Sequence, residues 1–387
     1  MKIAIVTNIL PPYRVPLFNN IAAAPGIELR VFLNAVSEPN RHWEWPASEI
    51  HFAYEVGSTF SFSPRLDKTI YINPGLLLRL RRFKPDVVIA GGTITIGLVT
   101  WLGARLSGAR FVLWWEATAQ SDQPGARWFG FLRSFLVRRS QAYVVVSSLS
   151  ADYVTSLGAD RRRIFISLQT LDVASFGEQV QRQFLGKQTL KQSLGLSGAV
   201  ISYIGNLDPY KGTDLLLMTY LKALEDGMDA HLLLIGSGTL TDSLKQLAGE
   251  LDNRRVHFCG FKQHADLPAY YAISDLFCLF SRSEPFGVVV TEAVAAGLPI
   301  MCSKFAGAAD DLVEHGENGF VVDPEDIETN ARLMRQIMQD DELRTRMSRR
   351  SLELAVKCSI EMAAQNMLLA ADCALNFQES ATVLRNV

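Results

Sequence analysis

The chain has 387 residues, more than one hydrophobic core usually serves, so two domains are expected. Its formal net charge of −2 argues against general nucleic-acid binding, and its composition is that of an ordinary globular protein. The charge is nevertheless divided, because residues 1–182 carry 20 Lys and Arg against 13 Asp and Glu, whereas residues 183–387 carry 18 against 27. The two halves are therefore expected to bind different partners.

Neither the cysteines nor the N-terminus indicates export. The five cysteines are odd in number and lack CxxC or metal-ligand spacing, which predicts reduced thiols in a cytoplasmic protein. The first apolar run is too short for a signal peptide. Residues 87–104 are uncharged and approach the length of a transmembrane helix, but Gly91 and Gly92 divide them into a strand-like and a helix-like segment. We therefore expect no transmembrane span.

In the first half, short β-branched runs alternate with helical segments. Strands are predicted at KIAIVTN, ELRVFLN, DVVIAG, RFVLWWE and AYVVVSS, with helices from about Val15, at LLLRLRRF and near 126–140. This alternation indicates βαβ units around a parallel sheet, assigned to an N-terminal domain at 1–183. Polar residues and glycines then weaken the pattern, so 184–199 is predicted to be a linker.

The alternation restarts at VISYIGN and continues through AHLLLIGSG, VHFCGF, LFCLFS, PIMCS and GFVVDP. A second domain is therefore predicted at 200–357, followed by residues 358–387, which are largely helical in pattern. The expected fold class is α/β, with two facing Rossmann-like, doubly wound domains and a cleft between them. Such sheets bind ligands at the carboxyl ends of their strands, so function is expected on the loops that face the cleft.

Two loops after predicted strands suit a phosphate. In YIGNLDPYKGTDLLL, Lys211 and Gly212 stand immediately before a helix, where an ammonium group and helix-terminal N–H groups can meet an anion. The order differs from a Walker loop, since the lysine precedes the glycine. In LIGSGTL, Gly236 and Gly238 allow close backbone approach, but Thr241 leaves the dinucleotide fingerprint GxGxxG incomplete. No glycine follows the first strand, so a nicotinamide or flavin cofactor is disfavoured.

The stretch SEPFGVVVTEAVAAGLP contains two glutamates separated by a proline and a glycine. Pro285 and Gly287 disfavour a continuous helix, so Glu284 is predicted in a loop at the mouth of the cleft and Glu292 within the following helix. The two carboxylates therefore need not face each other as a glycosidase acid/base pair does. The alternatives are a helix-capping carboxylate for Glu284 and an exposed helical glutamate for Glu292.

These motifs occur in a known order. The series GNLxxxKG, IGSG, FCGF, SEPFG, EAVAAGLPI and ENGFVV resembles the family 4 retaining glycosyltransferases of GT-B fold over about 198–330, and the first domain resembles them more loosely. The resemblance implies that Lys211 binds the donor diphosphate, Glu292 the nucleotide ribose and Glu284 the transferred sugar, with Lys211 and Glu284 as catalytic residues. It also implies that the last helix returns to the first domain. The donor-binding residues implied in this way are Gly205, Asn206, Lys211, Gly236, Gly260, Phe261, Glu284, Phe286, Gly287, Val288, Val289 and Glu292.

Two departures from the family pattern concern charged groups. Asn206 stands where the family commonly has an arginine, so one cation for the diphosphate is missing. The first-domain histidine that often follows the fourth strand is also absent, and Glu116 in LWWEATAQSD is the candidate for its place. Our hypothesis is that Arg14, in the PPYR loop, supplies the missing charge across the cleft. The alternative for Arg14 is a surface arginine or a loop contact that involves no phosphate. Arg14 and Glu116 are the acceptor-side candidates.

The inferred reaction transfers a sugar from a nucleotide diphosphate sugar to a glycan or lipid-linked acceptor hydroxyl with retention, as in the synthesis of cell-surface polysaccharide, lipopolysaccharide or glycolipid. No DxD motif or His/carboxylate cluster indicates a metal, and no cofactor other than the donor is expected. The segments 79–84 and 126–139 mix arginines with Phe, Trp and Leu, which suits either the anionic inner face of the cytoplasmic membrane or core helices with solvated arginines.

Other functions remain open at this stage. Asn206 and the absent histidine favour a non-catalytic homologue that binds nucleotide sugars as a scaffold or regulator. An NAD-dependent oxidoreductase and a nucleotide-sugar epimerase share the fold class, but the first lacks its glycine fingerprint and the second usually needs other acid/base groups. The donor base, the sugar and the acceptor do not follow from these residues.

Overall fold

The computed structural model describes residues 1–37, 47–57, 60–65, 68–73, 75–122, 127–250 and 255–377. The first residue of the predicted helix at 126–140 and the last ten of the C-terminal segment lie outside these ranges. The strands are β1 (Lys2–Thr7), β2 (Glu28–Leu33), β3 (Ala53–Val56), β4 (Phe60–Arg65), β5 (Lys68–Ile72), β6 (Val87–Ala90), β7 (Arg110–Trp115), β8 (Ala142–Val145), β9 (Ile164–Ile166), β10 (Ala199–Ile204), β11 (Ala230–Ile235), β12 (Val256–Gly260), β13 (Leu276–Leu279), β14 (Ile300–Ser303) and β15 (Gly319–Val322).

Helices connect most of these strands, and short 3-10 turns supplement them. The α-helices are α1 (Val15–Ala23), α2 (Gly75–Phe83), α3 (Ile94–Ser107), α4 (Arg127–Arg138), α5 (Ser148–Ser156), α6 (Val173–Gln183), α7 (Lys187–Ser193), α8 (Thr213–Glu225), α9 (Thr241–Glu250), α10 (Leu267–Ile273), α11 (Val288–Ala295), α12 (Ala309–Leu312), α13 (Ile327–Gln339), α14 (Asp341–Ala355) and α15 (Ile360–Leu375).

The first sheet is parallel and has the strand order β3-β2-β1-β6-β7-β8-β9, while β4 and β5 form a separate antiparallel pair. Successive side chains of β1 point to opposite faces of the sheet. Ile3 and Ile5 belong to one core with α1 and α15, and Ala4 and Val6 belong to the other with α2, α3, α4 and α5. Burial on both faces explains why these strands read as continuous apolar runs.

The second sheet is also parallel, in the order β12-β11-β10-β13-β14-β15. In each sheet the direction of strand addition reverses once, between β1 and β6 in the first and between β10 and β13 in the second. A crevice opens at the carboxyl ends of the strands at such a point, and open α/β sheets bind ligands there. The predicted α/β class with two doubly wound sheets is confirmed.

The segment 184–199 differs from the predicted linker because much of it is helical. It contains α7, and Leu190 and Leu194, spaced one helical turn apart, pack on the hydrophobic core of the second domain. The preceding α6 places Phe176 and Val180 in that core and contacts α10. Packing in the second domain therefore begins before residue 183. The sequence pattern does not show this, because glutamines and glycines interrupt the apolar helical face and make the segment read as polar.

The chain passes between the two domains twice, at neighbouring places. The segment after β9 and the start of α15 are joined by a hydrogen bond from Leu171 N to Cys358 O at 3.3 Å. Helix α15 then packs on α1, β7, β8 and β9, and the Asn366 side chain donates to Ile166 O at 2.8 Å. The uncharged run at 87–104 forms β6 and most of α3, and among the described residues no helix is both long and apolar enough to cross a membrane.

A pair of histidines joins two strands of the second sheet. His231 Nδ1 lies 2.9 Å from His257 Nε2, and His231 Nε2 accepts from Ser197 N at 3.2 Å. Burial lowers the pKa of both imidazoles, and Arg255 lowers the pKa of His231 further. Both rings are therefore held neutral, and His231 donates its Nδ1 proton to His257.

We expect acid to destabilise the protein through this pair. As the pH falls below about 6.5, the ordinary imidazole pKa, the unfolded chain binds protons that the folded pair resists. The contribution of the neutral pair to the free energy of unfolding is present above that pH and decreases below it, by on the order of 1 kcal/mol. Urea unfolding at pH 7.5 and 5.5 should show a smaller decrease for His231→Leu/His257→Leu than for the wild type. His51→Gln, at an exposed histidine, is the control, and equal decreases in the double variant and the wild type would refute the expectation.

Candidate active site

The loops after β10 and β13 meet at the point where the second sheet reverses direction. Arg282 N and Ser283 N, after β13, donate to Tyr210 O in the loop after β10, at 2.9 and 3.3 Å. At Gly212, φ is +61° and a Cβ atom would lie 2.0 Å from Phe280 O. Only glycine fits there, which explains the KG pair before α8 and brings the two loops into direct contact.

This contact brings Lys211 and Glu284 together. The Lys211 ammonium forms an ion pair with Glu284 Oε2, and both side chains are mostly buried. The two predicted catalytic residues therefore form one unit, although they are far apart in sequence. An anionic ligand that reached Lys211 would meet an ammonium group already fixed in direction, and would compete with Glu284 for it.

A third loop, between β14 and α12, holds the backbone of the Glu284 loop. Glu284 N donates to Phe305 O at 3.3 Å, Gly307 N donates to Glu284 O at 3.1 Å, and Ala308 N donates to Phe286 O at 2.9 Å. Phe286 is only 1% exposed, so it belongs to the core. These backbone hydrogen bonds hold Glu284 in a loop rather than in a helix.

Helices α8 and α11 both begin at a left-handed glycine, Gly212 and Gly287, so neither N-cap residue has a side chain to cap its helix. In the first turn of α8 the Asp214 carboxylate accepts from backbone N–H groups of that turn and pairs with Arg282. The first N–H groups of an α-helix have no partner within the helix, and they carry the positive end of the helix dipole. Val288 and Val289 are the first residues of α11, so their backbone lies at this end. Two helix starts beside Lys211 provide the positive potential that a phosphate group requires.

Glu292 is buried in α11, where it contacts two residues that the sequence reasoning missed. Tyr271 donates to Glu292 Oε2 at 2.8 Å, and His264 Nε2 lies 3.3 Å from Oε1. Burial raises the pKa of Tyr271 well above its usual value, and the hydrogen bond with Glu292 raises the pKa of the exposed His264. The exposed-glutamate interpretation of Glu292 is therefore wrong. No local motif marks either partner, because both come from the connection between β12 and β13.

The glycines at the ends of β10, β11 and β12 lie next to one another. Gly205 N donates to Ile235 O, and Gly236 N donates to Gly260 O, both at 2.9 Å. A Cβ atom at Gly236 would lie 1.8 Å from Gly205 O. Phe261, directly after Gly260, is 59% exposed, so its ring is available to a planar group. Asn206 is also exposed.

The two acceptor-side candidates meet in the first domain. Arg14, after β1, is buried and forms an ion pair with Glu116, which follows β7. Its guanidinium also donates to Thr7 Oγ1 at 3.1 Å and lies 4.4 Å from the centre of the Trp114 ring. The surface-arginine interpretation of Arg14 is therefore wrong, whereas the observed contacts with Glu116 and Thr7 agree with the alternative of a loop contact that involves no phosphate. The guanidinium can meet a donor diphosphate only in competition with Glu116.

Among the described residues, no group of three or more His, Cys, Asp or Glu side chains is placed to hold a metal ion. The nearest approach to such a group around the site is the pairing of Glu292 with His264, which involves one carboxylate and one imidazole. The charges around the two loops are the Lys211 ammonium, the Glu284 and Glu292 carboxylates, the Arg282–Asp214 ion pair and the two helix N-termini.

Comparisons with known proteins match both domains. A family model described as "Glycosyl transferases group 1" matches residues 187–353, and one described as "Glycosyl transferase 4-like domain" matches residues 19–167. An uncharacterized glycosyltransferase of Haemophilus influenzae is 31% identical over 60% of this chain and 64% of its own length. A D-inositol 3-phosphate glycosyltransferase of Corynebacterium efficiens is 28% identical over 53% of this chain and 50% of its own. The chain thus matches between half and two thirds of the length of these curated relatives.

The fold has solved counterparts. The crystal structure of Anabaena Alr3699/HepE in complex with UDP matches with a TM-score of 0.75 and 20% identity, covering 96% of this chain and 100% of that one. At this identity the likeness concerns the fold alone. With both halves matched by glycosyltransferase family models, the chain belongs to the family 4-type glycosyltransferases, with the GT-B fold of two Rossmann-like domains.

Proposed function

We propose that the protein is a retaining, metal-independent glycosyltransferase that moves a sugar from a nucleotide diphosphate sugar to an acceptor hydroxyl. The observation that carries the proposal is the Lys211–Glu284 pair between the starts of α8 and α11. The Anabaena counterpart was crystallised with UDP, which supports a nucleotide donor here. We place the reaction in the synthesis of cell-surface polysaccharide, lipopolysaccharide or glycolipid.

In this proposal each part of the donor has a matching part of the site. The diphosphate lies against Lys211 and the two helix N-termini, and the ribose hydroxyls donate to Glu292, which Tyr271 holds in place. The base stacks near Phe261 beside Gly260, and the sugar lies at Glu284. Gly205 and Gly236 let the ends of β10 and β11 pack closely together beside the donor, because a Cβ atom at Gly236 would collide with Gly205 O.

The chemistry follows from the charges. When the bond between the anomeric carbon and the phosphate oxygen breaks, its electron pair passes to the diphosphate, where Lys211 and the helix ends stabilise the negative charge. The acceptor hydroxyl then bonds to the anomeric carbon from the same face and gives its proton to the departing phosphate. Glu284 orients the sugar and stabilises positive charge at the anomeric carbon. The Arg14–Glu116 pair lies on the acceptor side of the cleft.

A second candidate function is non-catalytic binding of a nucleotide sugar. It is favoured by Asn206, which stands where an arginine is common in the family, and by the pairing of Arg14 with Glu116, which leaves the diphosphate with Lys211 as the assigned side-chain cation. Binding of donor without transfer to any acceptor distinguishes this candidate from the enzyme.

The proposed activity is tested in two steps. A thermal-shift panel of UDP, GDP, ADP and TDP identifies the nucleotide that raises the melting temperature most. Sugars of that nucleotide are then assayed for transfer by NMR, with and without EDTA. We expect a product with the anomeric configuration of the donor and equal rates of transfer with and without the chelator.

Lys211→Ala should abolish transfer, whereas Lys222→Ala, which removes a lysine in the last turn of α8, should not. Inversion, or inhibition by EDTA, would overturn the mechanism.

The two glutamates should have separable effects. Glu292→Ala should raise the donor KM about ten- to a hundredfold, because charge-assisted hydrogen bonds of about 1.5–3 kcal/mol are lost. Glu284→Ala should instead lower kcat by about 10²–10³-fold, because the stabilisation of charge at the reaction centre is lost. Steady-state kinetics over a range of donor concentrations give both constants. Urea unfolding of each variant controls for stability, and the reverse pattern would show that the roles are exchanged.

We further propose that the acceptor is reached at an anionic membrane surface, on the inner face of the cytoplasmic membrane. Neighbouring helices α2, α3 and α4 expose large apolar side chains beside arginines, and Phe131 is 71% exposed. Apolar contacts with the acyl boundary and arginine contacts with anionic headgroups would act together. This membrane face consists of Leu78, Arg81, Arg82, Leu102, Arg105, Leu106, Phe131, Arg138 and Arg139.

Liposome flotation tests the membrane face. The wild type should float with vesicles containing phosphatidylglycerol but not with pure phosphatidylcholine, and Arg81→Ala/Arg82→Ala/Arg105→Ala should float at least severalfold less, because each basic residue contributes about 1 kcal/mol near such a surface. Arg161→Ala/Arg162→Ala removes two exposed arginines elsewhere in the domain and should float as the wild type does. Arg133 is left unchanged because it pairs with Asp122. Wild-type protein that stays unbound would refute the membrane proposal.

A further inference from the structure

Asp311 of the second domain caps a helix of the first. Its two carboxylate oxygens accept from Ser148 N at 2.8 Å and from Ser148 Oγ at 2.6 Å. Ser148 is the first residue of α5, whose own cap, Ser147, accepts from Ser150 N. The carboxylate thus satisfies a helix-terminal N–H that α5 does not satisfy itself, and it lies at the positive end of that helix.

On the side of the second domain, this contact leads directly to the donor loop. Asp311 is in the short helix α12, which continues from the loop that binds the Glu284 loop. Gly307 N donates to Glu284 O and Ala308 N donates to Phe286 O. Only a few residues of ordered backbone therefore separate the Asp311 carboxylate from the candidate catalytic carboxylate.

On the side of the first domain, the contact lies beside the acceptor-side pair. Ser148 follows β8, and β8 pairs with β7, whose last residue, Trp115, is opposite Val145. Glu116 is the next residue along the chain after Trp115. A movement of α5 relative to α12 therefore changes the separation between Glu116 and Glu284, which face the cleft from opposite domains.

The two places where the chain crosses between the domains would by themselves allow one domain to rotate relative to the other. The chain crosses between the domains at two places that lie side by side, joined by the hydrogen bond from Leu171 to Cys358. Two adjacent crossings form a hinge, about which domains of this kind open and close. The Asp311–Ser148 contact is a separate attachment, in which the Asp311 carboxylate accepts from the backbone and the side chain of Ser148. The Lys357 ammonium also donates to Asp311 O at 3.3 Å, which anchors α12 close to the second crossing.

Partial burial makes the contact sensitive to substitution. Burial raises the pKa of Asp311, and the two hydrogen bonds from Ser148 oppose that shift. A partly desolvated carboxylate that receives two hydrogen bonds contributes more than an exposed one, and its removal leaves the Ser148 N–H without its acceptor. The neighbouring Asp310 is exposed, so it carries a similar charge without this environment.

We propose that Asp311 is a positioning residue that holds the two domains in the arrangement needed for transfer. By capping α5 it sets Glu284 against the Arg14–Glu116 pair, whereas donor binding is built entirely within the second domain. The proposal rests on the proposed function for its kinetic consequence. It predicts that loss of the contact lowers transfer while donor binding persists.

The test compares Asp311→Ala, Asp311→Asn and Ser148→Ala with Asp310→Ala as the control. For Asp311→Ala we expect a nucleotide Kd within twofold of the wild type and a kcat about tenfold lower, as loss of about 1.4 kcal/mol of positioning implies. Asp311→Asn keeps an acceptor oxygen and Ser148→Ala keeps the backbone donor, so both should be intermediate. A Kd that rises in parallel with the loss of kcat, or a wild-type kcat in Asp311→Ala, would overturn the proposal.

Small-angle X-ray scattering gives a readout that does not depend on activity. Asp311→Ala should have a larger radius of gyration than the wild type without ligand, while Asp310→Ala should not. Unchanged scattering in Asp311→Ala refutes the positioning role. If the wild type transfers no sugar but Asp311→Ala still expands and binds nucleotide normally, the proposed enzyme function fails and the domain contact stands.

Discussion

The candidate site depends on the close contact between the loops after β10 and β13. Because Gly212 allows the first loop to lie against Phe280 O, Lys211 reaches Glu284, and α8 and α11 both start beside this pair. A partly buried ion pair contributes little to stability once the cost of removing two charges from water is counted. It is better suited to an exchange in which an entering anion takes the place of Glu284 beside the ammonium group. The scaffold, rather than the ion pair, holds the loops together.

The helix N-termini at the site differ from those of several scaffold helices. Helices α6, α13, α14 and α15 are capped by their own Asp or Ser side chains, which accept from a backbone N–H in the first turn. Helices α8 and α11 begin at left-handed glycines instead, and other helices, such as α3 and α10, also lack a side-chain cap from their N-cap residue. A missing cap therefore does not by itself mark the site. What distinguishes α8 and α11 is that both start beside the Lys211–Glu284 pair, where a cap from the N-cap residue would occupy N–H groups that an anion needs.

The sequence predicts well whatever depends on local patterns. Continuous apolar runs mark most strands of both sheets, and the proline and glycine around Phe286 separate the Glu284 loop from α11. Contacts that depend on packing leave no such pattern. Tyr271 and His264 reach Glu292 only because α10 packs beside α11, and Arg14 reaches Glu116 only because β1 and β7 end at the same edge of the sheet. The helical segment before β10 was missed because glutamines and glycines interrupt its apolar face.

The charge of the second half at first sight conflicts with an anionic donor, since this half carries more acidic than basic residues. The local field resolves the conflict, because binding responds to the potential at the site rather than to net charge. Acidic side chains away from the site are balanced by neighbouring cations, as in the pairs Arg350–Glu314 and Lys304–Asp323, and Asp214 in the first turn of α8 is balanced by Arg282. Within the site, Glu284 is paired with Lys211, and Glu292 is held by hydrogen bonds with Tyr271 and His264. The positive ends of α8 and α11 thus remain as the charges directed at the cleft, and a diphosphate would meet them first.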